Sequence, residues 1–147
     1  MRVIGRRGYA ALIERHCENA ACLATLVAEA DDFELLHMPQ TNIVLYRYIP
    51  AQLRSSVMNR GLTAAEQCQL NTLNRNLQQR QYDFGMSYVS RTTLSSLKCY
   101  RETPIVALRA VIGNPLAGID DMKALLSEQR RIAAVVTHDG IVKLTDA

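Results

Sequence analysis

From Tyr9 to Val27 the apolar side chains recur at helical spacing, at Tyr9, Leu12, Ile13, Cys17, Ala20, Leu23, Ala24 and Val27. Glu14, Arg15, Glu18 and Asn19 take the opposite side, and the spacing predicts a long amphipathic helix over about residues 8–30. After Asp31-Asp32 the period shortens. "FELLHM" and "NIVLYRYI" read as two strands, separated by Pro39-Gln40-Thr41 and closed by Pro50. "TAAE" (Thr63 to Glu66) matches a capping box, in which hydroxyl and carboxylate each satisfy a free backbone donor. It opens a helix whose inner positions are Leu70, Leu73, Leu77, Gln81 and Phe84, with Gly85 as its stop. Two further strands, "SYVSRTTL" and "IVALRAVI", precede a last helix from about Ile119. Met122, Leu125, Leu126, Gln129, Ile132 and Ala133 mark the inner side of that helix.

Paired strands punctuated by helices predict an α+β domain: an antiparallel or mixed sheet of about four strands with three helices on one face. The domain is expected to span residues 1–134. In the tail, residues 135–147, Asp139-Gly140 is a hairpin signal, with a frayed terminus as the other reading.

One strand poses a chemical question. In "IVALRAVI", Val106, Leu108, Ala110 and Ile112 share a face suited to packing on helices. Ile105, Ala107, Arg109 and Val111 share the other. A single guanidinium on an otherwise apolar face is expected to lie in a largely covered surface, where a charge needs a partner. That second face, extended by Ile43, Leu45 and Ile49 if the registers agree, also predicts a covering surface: another domain, another subunit or the rest of a longer chain. Arg47, in "YRY", is a second arginine in an apolar strand, expected to form a structural ion pair under such an interface.

Composition narrows the function classes. At 147 residues and 48% hydrophobic, the chain is of globular-domain type. A net charge of +3, with arginines in pairs at most, lacks the basic footprint that nucleic-acid binding needs. Cys17, Cys22, Cys68 and Cys99 form no zinc or redox spacing and read as buried, reduced thiols; His16, His37 and His138 form no metal motif. With no apolar run of signal-peptide or membrane-spanning length, the expected location is the cytoplasm, with no membrane partner.

The ordered set G-x-x-G-Y (Gly5 to Tyr9), N-I-V-x-Y-R-Y (Asn42 to Tyr48), S-R-T-T-L (Ser90 to Leu94) and L-R-x-V-I-x-N-P (Leu108 to Pro115) resembles the C-terminal region of the group II pyridoxal-phosphate-dependent amino acid decarboxylases. That family acts on glutamate, aspartate, 2,4-diaminobutyrate and aromatic amino acids. The resemblance spans about Val3 to Ile132 and looks nearest to the bacterial branch acting on acidic amino acids or diaminobutyrate.

It implies a fold-type-I small domain, whose open sheet face turns toward a large cofactor-binding domain in a homodimeric carboxy-lyase. The arginine matching Arg109 is associated there with a substrate carboxylate, for which a planar guanidinium fork is well suited. The bland alternative is an interdomain salt bridge. Arg47 and Arg91 are candidates for the cleft or the interdomain contact.

One departure limits the chemistry. The family's cofactor is held by the lysine of a His-Lys dipeptide, whereas Lys98, Lys123 and Lys143 follow Leu97, Met122 and Val142. No catalytic or cofactor-binding residue is expected in this chain, and alone it should bind no pyridoxal phosphate and decarboxylate nothing. Gly118, where the family often has a threonine, is expected to start the last helix without a hydroxyl cap. The competing function is a free-standing α+β module that binds a small anion or a partner protein through its open sheet face.

Overall fold

The computed structural model describes residues 4–95 and 103–138. Lys98, Cys99, Lys143 and the Asp139-Gly140 hairpin signal lie outside them. Helix α1 (Gly5–Ala28) is followed by strands β1 (Phe33–His37) and β2 (Ile43–Tyr48). A short helix α2 (Ala51–Ser55) runs into one π-helical turn (Ser56–Arg60), and α3 (Ala64–Phe84) follows. Strands β3 (Ser90–Leu94) and β4 (Ile105–Val111) lead to α4 (Ile119–His138). The strands form one sheet in the order β1-β2-β4-β3, every neighbouring pair antiparallel.

The sheet core lies on one face, as the alternation requires. Val44 and Tyr46 of β2 and Leu108 and Ala110 of β4 pack with Leu23 and Val27 of α1, Leu70, Leu73 and Leu77 of α3 and Met122, Leu126 and Ala133 of α4. Phe33 meets Tyr46 and Tyr48 edge-on, with ring centroids 5.9 and 5.4 Å apart. Arg130 of α4 clamps Asp32 through two hydrogen bonds, at 2.6 and 2.9 Å, and lies over the Phe33 ring. Burial pushes the Asp32 carboxyl up, but the Arg130 hydrogen bond and charge outweigh it and hold the group below its ordinary value.

The capping box at Thr63 is present. The Glu66 N–H donates to Thr63 Oγ1, and Glu66 accepts from the Thr63 N–H at 2.8 Å. Glu66 also accepts from Ser56 and from both terminal nitrogens of Arg60, which ties the π-helical turn to the start of α3. Gly61, at φ 79°, makes the left-handed step between them. Gly85 does end α3, but with extended backbone rather than a left-handed cap; a Cβ there would overlap the Gln81 carbonyl oxygen. At Gly118 the expected loss of a cap is offset by Asp121, whose carboxylate accepts from the Gly118 N–H at 2.8 Å.

Several expectations need correction. Phe84 is 82% exposed rather than inner, since α3 turns its Leu70-Leu73-Leu77 stripe to the core and the last turn runs past it. Cys68 is exposed, and Cys17 and Cys22 are half-buried rather than buried. Helix α4 runs to His138, with Val136 buried. Helix α2 and its π-helical turn have no counterpart in the sequence pattern, because ten residues behind Pro50 are too few to show a period.

Candidate functional site

Beside its leucines, α3 carries a second buried stripe: Gln67, Asn71, Asn74, Gln78 and Gln81, spaced four, three, four and three apart. Two of these amides, Asn71 and Asn74, close gaps that the sheet leaves open. Pairing of β2 with β4 is registered from Ile43↔Val111 to Tyr46↔Leu108. Past that end the Tyr48 N–H donates to Asn74 Oδ1 at 2.9 Å, and Asn74 Nδ2 donates to the Tyr48 carbonyl at 3.0 Å. On β4 the Val106 N–H donates to Asn71 Oδ1 at 2.8 Å, and Asn71 Nδ2 donates to the Pro104 carbonyl at 2.7 Å. Helix α3 thus spans the two strands where their own ladder stops, satisfying donors that burial would otherwise strand.

The other end of the stripe joins a one-way chain of hydrogen bonds. Tyr46 OH donates to Gln129 Oε1 at 3.1 Å, Gln129 Nε2 to Gln81 Oε1 at 3.1 Å, and Gln81 Nε2 to Ser87 Oγ at 2.8 Å. Ser87 Oγ donates in turn to Glu128, which also accepts the Met86 and Ser87 N–H groups. Burial pushes the Tyr46 phenol up, against the smaller opposing effect of its bond to Gln129. At Glu128 burial acts upward too, but the Ser87 and Met86 donors prevail and keep its carboxyl below the ordinary value. The chain pins the loop that leads into β3.

The amide stripe holds two of the three arginines singled out in the sequence, Arg47 and Arg91. Arg47 has no exposed surface. Its Nε donates to Glu34 Oε2 on β1 at 2.5 Å, and its Nη1 donates to Gln67 Oε1 at 3.2 Å. Arg91 donates to Gln78 Oε1 at 3.0 Å, on the helical side of β3. Arg109 stands apart. It lies on the sheet face away from the helices, is exposed, and is paired across strands with Ser90. Arg109 Nε donates to Ser90 Oγ at 2.9 Å, and Ser90 Oγ donates to the Arg109 carbonyl at 3.1 Å. Among the described residues no carboxylate comes within ion-pair distance of it.

The surface around Arg109 therefore differs from the expected covered apolar face. The registers do agree, with Ile43 opposite Val111 and Leu45 opposite Arg109. Yet Ile105, Ala107 and Ile49 are buried, and Ile43, Val111 and Arg109 mark an exposed end of this face. The buried, carboxylate-paired arginine is Arg47. Large apolar side chains are also exposed at Tyr82, Phe84, Met86 and Tyr88, around the end of α3.

Two of the surface grooves lie near these elements. One of about 420 Å³ lies between the end of α1, β1 and α2, lined by Phe33, Leu35, Ile49, Arg54 and Val57 among others. A shallower one of about 310 Å³ is lined by Gln78, Gln79, Tyr82, Tyr88, Ser90 and Arg91. Among the described residues no group of three or more His, Cys, Asp or Glu side chains could hold a metal ion. No described helix is long and apolar enough to cross a membrane.

No family model matches the sequence. The chain is 34% identical over 137 residues to the aspartate 1-decarboxylase of Aliivibrio fischeri, covering 90% of this chain and 24% of that enzyme. Mouse CSAD superposes with a TM-score of 0.75 at 19% identity, covering 90% of this chain and 26% of that one. Oryza sativa TDC, solved with PLP and tryptamine, superposes with a TM-score of 0.66 at 19% identity, covering 92% and 25%.

The fold is that of the C-terminal domain of pyridoxal-phosphate-dependent decarboxylases, an α+β domain with an antiparallel four-stranded sheet. The relative at 34% identity and solved structures of like fold are named as decarboxylases. The chain spans about a quarter of the length of the enzymes it matches.

Among the described residues, no lysine lines a groove that could receive the cofactor of those enzymes. Lys123 is the lysine among the described residues; it stands on the exposed side of α4 and lines neither groove. No step through pyridoxal phosphate falls to this chain's described residues.

Proposed function

We propose that this chain works as the small C-terminal domain of a pyridoxal-phosphate-dependent amino acid decarboxylase. A large domain, absent from this sequence, supplies the cofactor and its lysine; the complete enzyme is a cytoplasmic homodimer. Arg109 binds a carboxylate of the amino acid. The observation that carries this reading is the exposed Arg109 guanidinium on the open sheet face, which has no carboxylate partner among the described residues. An arginine held for internal stability would resemble Arg47, enclosed and paired. The substrate class is an acidic amino acid, with aspartate first, supported by the 34% identity to the aspartate 1-decarboxylase. Glutamate and 2,4-diaminobutyrate are the next candidates. Arg47 braces the domain from inside, while Arg91, exposed on β3, ties that strand to Gln78 of α3.

The test uses the complete enzyme, made by joining this chain to the cofactor-binding portion of the Aliivibrio fischeri relative. Losing a charge-assisted hydrogen bond predicts a fall of roughly ten- to a hundred-fold in kcat/KM for Arg109→Met. Arg109→Lys should rescue poorly, because a point charge does not reproduce the two-pronged grip. Wild-type kcat/KM in a folded Arg109→Met enzyme would remove Arg109 from the substrate site.

A further inference from the structure

We propose that Ser90 is the positioning residue of this site, its hydroxyl fixing the Arg109 guanidinium so that Nη1 and Nη2 form an end-on fork for a substrate carboxylate. The inference rests on the reading of Arg109 given above and adds the geometry of its grip.

Ser90 and Arg109 are direct cross-strand partners, so their side chains leave the same face of the sheet side by side. A serine hydroxyl has one proton to give and two lone pairs to offer. Here the proton goes to the Arg109 carbonyl at 3.1 Å, which fixes the hydroxyl rotor and turns a lone pair toward Arg109 Nε at 2.9 Å. Backbone and guanidinium of one residue are thereby tied to a single oxygen. A long exposed side chain that would otherwise sample many rotamers is held in one.

The contact also selects among the ways an arginine can bind a carboxylate. Of the five guanidinium N–H groups, the one on Nε is spent on Ser90, and the four on Nη1 and Nη2 remain. A side-on grip through Nε and one Nη is closed. The end-on grip is open, and it places the carboxylate on the long axis of the side chain, out from the sheet face. The serine is itself anchored: β3 follows the loop pinned by Glu128, and the neighbouring Val89 carbonyl accepts from Gln78. The fork is therefore aimed by rigid elements rather than by a loop.

The experiment has two readouts. In the 147-residue chain, the Arg109 Nε–H proton should give a slowly exchanging NMR signal that Ser90→Ala abolishes and Ser90→Thr retains. In the complete enzyme, Ser90→Ala should lower kcat/KM roughly three- to ten-fold, the range of one lost hydrogen bond. Ser90→Thr, which keeps the hydroxyl and suits a strand, should restore it. Adding Ser90→Ala to Arg109→Met should change nothing further, because the serine acts only through the arginine. An impaired Arg109→Met enzyme beside a Ser90→Ala enzyme of wild-type kcat/KM would overturn the positioning role and leave the substrate role of Arg109 standing. A folded Arg109→Met enzyme of wild-type kcat/KM would overturn both.

Discussion

Replacing Arg47 by methionine keeps most of the apolar stem and removes a guanidinium with no contact to solvent. Glu34 loses its 2.5 Å ion pair and Gln67 the donor at 3.2 Å, and nothing in methionine can replace either. Breaking a buried pair by deleting one partner costs about 3–5 kcal/mol, chiefly because the other charge is left without compensation. Glu34 keeps 21% of its side chain exposed and can draw in water, which places the expected loss near the low end, at about 3 kcal/mol. For a chain of this size that corresponds to a fall of roughly 6–12 °C in melting temperature. Urea titration followed by far-UV circular dichroism reads the difference directly. Adding Glu34→Gln to Arg47→Met should cost less than the sum of the two single changes, because each single change breaks the same ion pair. An Arg47→Met chain within about 0.5 kcal/mol of wild type would refute the reasoning, since that is the scale of an ordinary surface substitution.

Two other outcomes follow from the polar supports. The Arg60 hydrogen bond, with those from the Thr63 backbone and hydroxyl, holds the Glu66 carboxyl down to about 2 from its ordinary 4.5. A depressed carboxyl contributes stability that is complete above its unfolded-state value and fades as pH falls from 4.5 toward 2. Glu66→Gln should therefore lower the urea midpoint at pH 7 and match wild type near pH 2; equal midpoints at both pH values would contradict the assignment. Gln129→Leu leaves the enclosed Tyr46 hydroxyl and the Gln81 oxygen without partners and should cost about 2–3 kcal/mol in the same titration. The Tyr46→Phe/Gln129→Leu pair should lose less than the sum of the single changes, and strict additivity would argue against a connected chain.

The strands and long helices were legible because their apolar spacing is local: β2, β4, α1 and α4 fall where the periods put them. The capping box at Thr63 was legible for the same reason, since all its parts lie within four residues. What the sequence hid depends on chain segments meeting from afar. Asn71 and Asn74 read as ordinary polar helix positions until Val106 and Tyr48 are brought against them. Arg47 and Arg109 sit in similar apolar runs, and nothing local distinguishes them. The cross-strand partner decides: Glu34 of β1 lies opposite Arg47 and supplies a carboxylate, whereas Ser90 lies opposite Arg109 and supplies a hydroxyl. The family resemblance placed Arg109 at a substrate carboxylate, but only the strand register shows Ser90 beside it. A signal for the amide stripe was present in the spacing of Gln67, Asn71, Asn74, Gln78 and Gln81, which repeats beside the leucines at core positions.

The most direct test of the account compares carbon dioxide release from L-aspartate by two proteins. One is the cofactor-binding portion of the Aliivibrio fischeri relative alone; the other is that portion joined to this chain. The account predicts that the joined enzyme turns over, that the portion alone does not, and that Arg109→Met in the joined enzyme removes most of the gain. A folded, cofactor-loaded joined enzyme no more active than the portion alone would contradict it.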